Sequence, residues 1–262
     1  MSDGIRRLVE HGLHVFSVEL ARYLVAAGSL SLLLWLGSVW TMPRRIQARM
    51  ADWSDRRREF FNSLVTVGIF GLSGMLVLAM INAGVYHVYR APPALWLGLV
   101  EFAAIVIAHD AYFYWMHRGL HHRRMFRRAH LEHHRSTTPT PWAAYSFAPI
   151  EGVFEAAFLP LFLLFVPMHA GVILAFLLHQ IARNVLGHMG HELAWPGFTR
   201  SRWTGWLSTT THHDLHHSQG NYNYGLYFTW WDRWMGTEHP RYHEAFDTAA
   251  LPWFERGEKV EA

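Results

Sequence analysis

Cysteine is absent from these 262 residues. That excludes disulfides, thiolate-ligated haem, cysteine-held iron–sulfur clusters and cysteine zinc sites, so a metal here would be held through nitrogen and oxygen. Lysine is nearly absent too: Lys259 stands alone and every other basic side chain is arginine. The net charge of +3 is too small to point to nucleic acid. Charged residues make up only 16% of the chain while 51% is apolar, and the apolar residues gather in blocks. The zinc-peptidase pattern HExxH is missing, because Glu192 follows His191 but position 195 is Trp195. So are the repeated Glu-x-x-His pairs of carboxylate-rich di-iron bundles, and no internal repeat or domain-dividing linker is evident.

The apolar blocks have membrane length, since about 20 apolar residues cross a bilayer as a helix. Residues 18–40, 64–86 and 94–116 each meet that. The stretch 150–187 is apolar but interrupted by Pro160 and Pro167, which predicts a helical hairpin or two tilted helices returning to the same side. The first block is too long for the apolar region of a signal peptide, so it is expected to be a retained span. Thirteen tryptophans, many near block ends, fit interfacial anchors. Arg44, Arg45, Arg49, Arg56, Arg57 and Arg58 lie between the first two spans, and Arg118, Arg123, Arg124, Arg127 and Arg128 follow the third. The loop between the second and third spans has only Arg90. By the positive-inside rule both arginine groups are cytoplasmic, in a bacterial inner membrane or an endoplasmic-reticulum-type one. The expected fold is all-α: a polytopic membrane bundle with a helical cytoplasmic cap. It forms one domain over 1–262, with a catalytic core at about 94–243 and a loose polar tail at 246–262.

Against these scarcities stands histidine. Fifteen of the twenty lie between His109 and His217, in spaced clusters that include His117, His121 and His122; His130, His133 and His134; His188 and His191; and His212, His213, His216 and His217. Imidazole is a common ligand for transition metals, and residues three and four apart share a helix face. In each of the triples 130–133–134 and 213–216–217 the outer pair is spaced i, i+4, and the adjacent pair diverges enough to reach two separate metals. Eight or more candidate ligands exceed the needs of one ion and suit two. Imidazole alone leaves zinc, copper, iron and nickel open. Asp110, Tyr114, His117 and His121 form one stripe down the third span. Asp110 is a candidate to accept the second ring N–H of a metal-bound histidine, and Asp214, among the last cluster, is a second such candidate. His109, His122, His191 and His212 are second-tier ligands. His11, His14, His87, His169, His239 and His243 lack clustered partners and read as interfacial or surface residues, and His179 stays open.

The pattern His117-x3-His121, His130-x2-His133-His134, the lone His188, and His213-x2-His216-His217 resembles the fatty acid hydroxylase/sterol desaturase superfamily of membrane histidine-box di-iron oxygenases. The flanking text is similar as well: HDAYFYWMHRGLHH enters the first box, HRSTTPTPWAAYSFAPIE leaves the second, and HHDLHHSQGNYNYGLYFTWWDRWMGTEHP resembles the family's ending. The likeness runs from about residue 40 to 243. Two departures stand out: Ala148-Pro149 where many relatives have His-Pro, and GHMGHE around the lone histidine, where His188 is the better match and His191 an extra. His122 likewise competes with His121.

The resemblance implies that O2 is activated by two non-haem irons held by those nine histidines and used to hydroxylate or desaturate a lipid, a fatty acyl chain or a sterol-like molecule. No protein nucleophile is expected beyond the metal ligands. The sequence carries no glycine-rich nucleotide fingerprint and no haem-binding segment, so electrons are expected from a separate reductase, ferredoxin or cytochrome. The arginines at 118–128 can dock an acidic carrier or simply contact headgroups. Tyr222, Asn223, Tyr224, Gly225 and Asp232 read as structural supports of the last box. The alternative is a histidine-rich membrane metal transporter or metal-binding protein, which calls for polar residues aligned along several spans. A membrane zinc hydrolase lacks a clear general base.

Overall fold

The computed structural model describes residues 3–253. Its framework is five long helices: α1 (Asp3–Leu36), α3 (Trp53–Asn82), α4 (Leu95–Leu120), α7 (Pro149–Leu163) and α8 (Ala170–Gly187). The short helices α2 (Ser38–Thr41), α5 (Phe126–Ala129), α6 (Leu131–His134), α9 (Thr210–Gln219), α10 (Trp230–Trp234) and α11 (Tyr242–Ala249) belong to the connections. Among the described residues four helices, all the long ones but α7, are long and apolar enough to cross a membrane. Their outward faces stay apolar: Leu95 is 80% exposed, Leu72 65% and Trp35 71%. A surface that apolar is stable only in lipid, and the chain is a multi-pass membrane protein.

Helix boundaries follow local chemistry. A reciprocal capping box starts α3: Asp52 accepts from the Asp55 N–H at 3.0 Å, and Asp55 accepts from the Asp52 N–H at 3.3 Å. Pro149 occupies the first turn of α7, where its missing N–H costs nothing. Pro160 lies inside that helix, and Pro167 follows its end. The stretch 150–187 is thus a hairpin of two helices. Its turn carries strand β2 (Met168–His169), which pairs in parallel with β1 (Val88–Tyr89) from the α3–α4 connection. The turn therefore lies at the end of the bundle away from the histidine clusters, and α7 and α8 run down to it and back.

The helices depart from the expected bounds, α3 beginning at Trp53 and not at 64, and two differences matter for the fold. The first span starts not at 18 but in a helix that begins at Asp3. At 1.5 Å per residue its 34 residues run about 50 Å, well beyond a hydrocarbon core of about 30 Å. Glu19 and Arg22 are consequently mid-helix and ion-paired at 2.5 Å, not near a span end. The second difference is the tail. Residues 246–249 complete α11, whose Tyr242 and Phe246 are fully buried against Phe198 and Leu215. Arg44 locks the following residues by donating to the carbonyls of Leu251, Ala194 and Glu192 and by stacking on Trp253. Residues 254–262 of the expected tail lie outside the described residues.

Candidate metal centre

Four chain segments meet in one layer at the end of the bundle opposite the β1–β2 pair. The last turn of α4 brings His117, with His121 just beyond it; α5 and α6 bring His130, His133 and His134; the end of α8 brings His188; and α9 brings His213, His216 and His217. The Thr209 hydroxyl caps α9 by accepting from the His212 N–H, and Gly220, in the left-handed region at φ 66°, ends it. Those caps fix a ten-residue helix that carries little apolar surface of its own.

The nine histidines form two groups. His117, His121, His130, His134 and His216 make one; His133, His188, His213 and His217 make the other. Within each group the ligand atoms all lie within 4.8 Å of one another. Each triple is divided in the same way. His130 and His134, at i and i+4, join the first group while His133 joins the second. His213 and His217 join the second while His216 joins the first. The groups share a wall, with the ring centroids of His134 and His217 5.0 Å apart.

Hydrogen bonds show what the nitrogens do. A carbonyl can only accept, so the ring atom facing it must carry the proton. His117 Nδ1 donates to Tyr224 O at 2.9 Å, His216 Nδ1 to Tyr222 O at 2.6 Å, His188 Nδ1 to Asn184 O at 2.8 Å and His133 Nδ1 to Ser146 O at 3.3 Å. In neutral imidazole that leaves each Nε2 a bare lone pair. Yet Nε2 atoms face one another at 3.0 Å for His117 and His130, 3.0 Å for His134 and His216, and 3.3 Å for His188 and His133. Converging lone pairs repel unless a cation sits among them. A metal–imidazole bond of about 2.1 Å places neighbouring ligand nitrogens about 3.0 Å apart at a right angle and about 3.4 Å apart at a tetrahedral one. The donor set therefore fits metal ions, one per group. Burial pushes His134 and His188 down to about 4, and desolvation followed by neighbouring imidazoles lowers His213, His216 and His217 far below the ordinary histidine range. The ligand form, neutral imidazole, is thus the resting form.

The remaining candidates fall elsewhere. His109 is buried two turns from His117 among Phe158, Phe176 and Tyr227. His122 is exposed and accepts from the Arg124 N–H. His191 donates to Met189 O, and His212 packs on Tyr242 with its Nε2 3.3 Å from Asp232. None of these four joins either group. His179 rests against Tyr227 and Phe102, also outside both groups. Asp110 accepts from the N–H groups of Tyr227 and Phe228 and from Trp230 Nε1. Asp214 accepts from Gln47 Nε2. Among the described residues, neither carboxylate bonds a grouped histidine. They tie connecting segments to α4 and to the α1–α3 loop instead, because their positions on the helices turn them away from the metal layer.

The carboxylate that does reach a ligand is Glu151, whose Oε1 lies 2.8 Å from His130 Nδ1, both side chains being almost wholly buried. The signal available in the sequence was an acidic residue at the head of an apolar block, in the segment leaving the second box. Asp232 works one step further out. It accepts from the N–H groups of Tyr224 and Gly225 at 2.8 Å each and from the Thr237 hydroxyl at 2.7 Å. Asn223, at φ 57°, accepts from the His239 N–H and donates to His212 O. Together they fold 222–225 so that two of its carbonyls orient His117 and His216.

A membrane-embedded helical bundle with a double imidazole cluster in its capping layer is the class these observations define. The family model for fatty acid hydroxylase matches residues 102–237, just over half of the chain, and the chain belongs to that family. Among curated proteins it is 33% identical over 144 residues to lathosterol oxidase of Homo sapiens, covering 53% of this chain and 46% of that one. It is 30% identical over 142 residues to Delta(7)-sterol 5(6)-desaturase ERG3B of Gibberella zeae, covering 54% and 42%. The chain thus spans less than half the length of these relatives. No solved structure matches it.

Proposed function

We propose that this protein is a membrane-bound non-haem di-iron oxidoreductase that uses O2 to hydroxylate or desaturate a lipid, a fatty acyl chain or a sterol-like molecule. The observation that carries the proposal is the pair of all-nitrogen imidazole groups, five and four strong, side by side in the capping layer of the bundle. Bound iron would supply the reduction of O2 and the removal of hydrogen from an unactivated C–H bond, chemistry that zinc cannot provide. The chain's part is to orient and to exclude water. Nδ1–carbonyl bonds hold four rings in one tautomer, Glu151 faces His130, and the fully buried Asp232 keeps the 222–225 turn in place. Family membership supports iron and a lipid substrate.

The arginines of the α1–α3 loop and of 118–128 lie beside the histidine layer, which supports a cytoplasmic position for it. Arg123, Arg124, Arg127 and Arg128 are exposed there and suit an acidic electron carrier, a separate reductase, ferredoxin or cytochrome. A metal transporter fits poorly, since the grouped histidines gather in one layer instead of stepping along the spans. Metal analysis of the purified protein, paired with O2 uptake, is the test. About two irons per chain with reductant-dependent O2 consumption are expected. Stable zinc with no O2 consumption overturns the proposal.

A further inference from the structure

The last two turns of α1, the connection at 42–51 and the first turn of α3 border a cleft of about 240 Å3 beside the histidine layer. One wall is apolar and largely exposed, with Leu34 and Trp35 from the end of α1 and Met42 and Met50 from the connection. Opposite it stand Arg45, Arg49 and Arg56. Their charges are unequally met. Arg49 is ion-paired with Asp52 and Asp55. Arg45 donates through Nε to Gln47 O at 2.7 Å and through Nη2 to Ala48 O, but a neutral carbonyl takes the hydrogen and leaves the charge. Among the described residues Arg45 Nη1 has no partner, and it remains open to solvent. Arg56 is exposed and has neither a hydrogen bond nor an ion pair there. The cleft is also held rigidly. Arg45 forms an isolated antiparallel bridge with His191, and the Ile46 N–H donates to Gly190 O at 3.1 Å. Gln47 Nε2 donates to Thr137 O and to both oxygens of Asp214, the carboxylate at the buried end of the cleft.

We propose that this cleft binds the phosphodiester headgroup of an anionic glycerophospholipid, with Arg45 and Arg56 on the phosphate and the acyl chains lying along Leu34 and Trp35. The planar guanidinium fork matches phosphate oxygens, and arginines flanking a span at a charged leaflet face anionic headgroups. A pre-positioned Arg45 gives up little freedom on binding. A soluble acidic protein answers the charge, but the apolar wall belongs to the end of a membrane span and lies on the lipid side, out of its reach. The connection that carries Arg45 bonds to 137, to 190–191 and to Asp214 of α9, so a bound headgroup ties the span ends to the cap. The site is separate from the metal groups and stands or falls without them.

Native mass spectrometry of the full-length protein released from detergent micelles tests this, comparing dioleoyl-phosphatidylglycerol with dioleoyl-phosphatidylcholine, whose choline cation opposes the arginines. The anionic lipid is expected to bind about ten-fold or more tightly. In Arg45→Gln/Arg56→Gln that ratio is expected to fall toward one. Arg56→Gln alone, at an exposed side chain without partners, leaves the fold intact and is expected to remove part of the preference. Arg123→Gln/Arg124→Gln takes the same charge from the other arginine group and is expected to keep it. Equal affinity for the two lipids, a ratio that survives the Arg45/Arg56 substitutions, or an equal loss in the Arg123/Arg124 control overturns the proposal. Glycerol phosphate, the headgroup without its chains, is expected to compete poorly; displacement of the lipid by an equal concentration of it overturns the assignment to a lipid and leaves a site for free anions.

Discussion

Replacing Glu151 is the most direct probe of how the chain holds its ligands. Glu151 Oε1 lies 2.8 Å from His130 Nδ1 and the two side chains are 2% and 1% exposed, so water cannot take over the contact. In Glu151→Gln an acceptor remains, but the carboxyl's capacity to carry charge opposite a metal-bound imidazole is lost. Contacts to charged acceptors contribute about 1.5–3 kcal/mol and to neutral ones about 0.5–1.5, so the difference is about 1.2 kcal/mol, or about eight-fold in metal affinity. In Glu151→Leu the 2.8 Å contact to His130 Nδ1 is removed outright, and the loss reaches about ten- to a hundred-fold, the usual effect of removing a histidine's outer partner. Chelator competition with metal analysis of the detergent-purified protein measures both. Glu132→Gln is the control, because Glu132 is beside the same box but binds Arg135 and Asn62. Wild-type metal retention in both Glu151 variants, or equal loss in the Glu132 control, refutes the reasoning.

Substituting His130→Ala or His217→Ala is expected to abolish metal binding and O2 uptake while the protein still inserts into membranes, and retained activity removes that residue from the site. Asp232→Ala strands the N–H groups of Tyr224 and Gly225 in a buried turn, which costs about 3 kcal/mol or more and lowers the melting temperature; an unchanged melting curve contradicts that role for Asp232. Burial alone would push Asp232 up, but the hydrogen bond and charge of His212 and the bonds from Thr237 and the Gly225 N–H outweigh it and hold the carboxyl below the ordinary range. Its stabilisation is therefore complete above pH 4 and is lost as pH falls through the lowered value. In the metal-free protein His134 and His188 are near 4 folded and take up protons near 6.5 when unfolded, so stability rises with pH between about 4 and 6.5. Urea titrations of chelated protein across that window check the sign, and a flat profile is the contrary result.

The membrane spans and the clustering of the histidines were legible because each is a pattern along one dimension. Apolar length specifies a spanning helix whatever it packs against, and i, i+3, i+4 spacing puts imidazoles on one face before any partner arrives. The same spacing divided each triple between two groups, as adjacent histidines must diverge on a helix. Excess ligands over one ion's needs could be counted without coordinates. Asp110 shows where this reasoning ends. Its stripe with His117 was read correctly as a helix face, but what meets that face is the 226–230 segment, over a hundred residues away, whose N–H groups take both oxygens. Helix periodicity says which way a side chain points and nothing about what arrives there.

The sequence by itself determined the helices, their order, the absence of thiolate chemistry and the nine clustered imidazoles, all properties of local spacing and composition. Only the tertiary structure decided the rest: which histidines share a group, that Glu151 and not Asp110 or Asp214 faces one of them, and that Phe246 seals the cap. These depend on contacts between segments distant in the chain, where the geometry of packing, not the periodicity of any one helix, selects the partner.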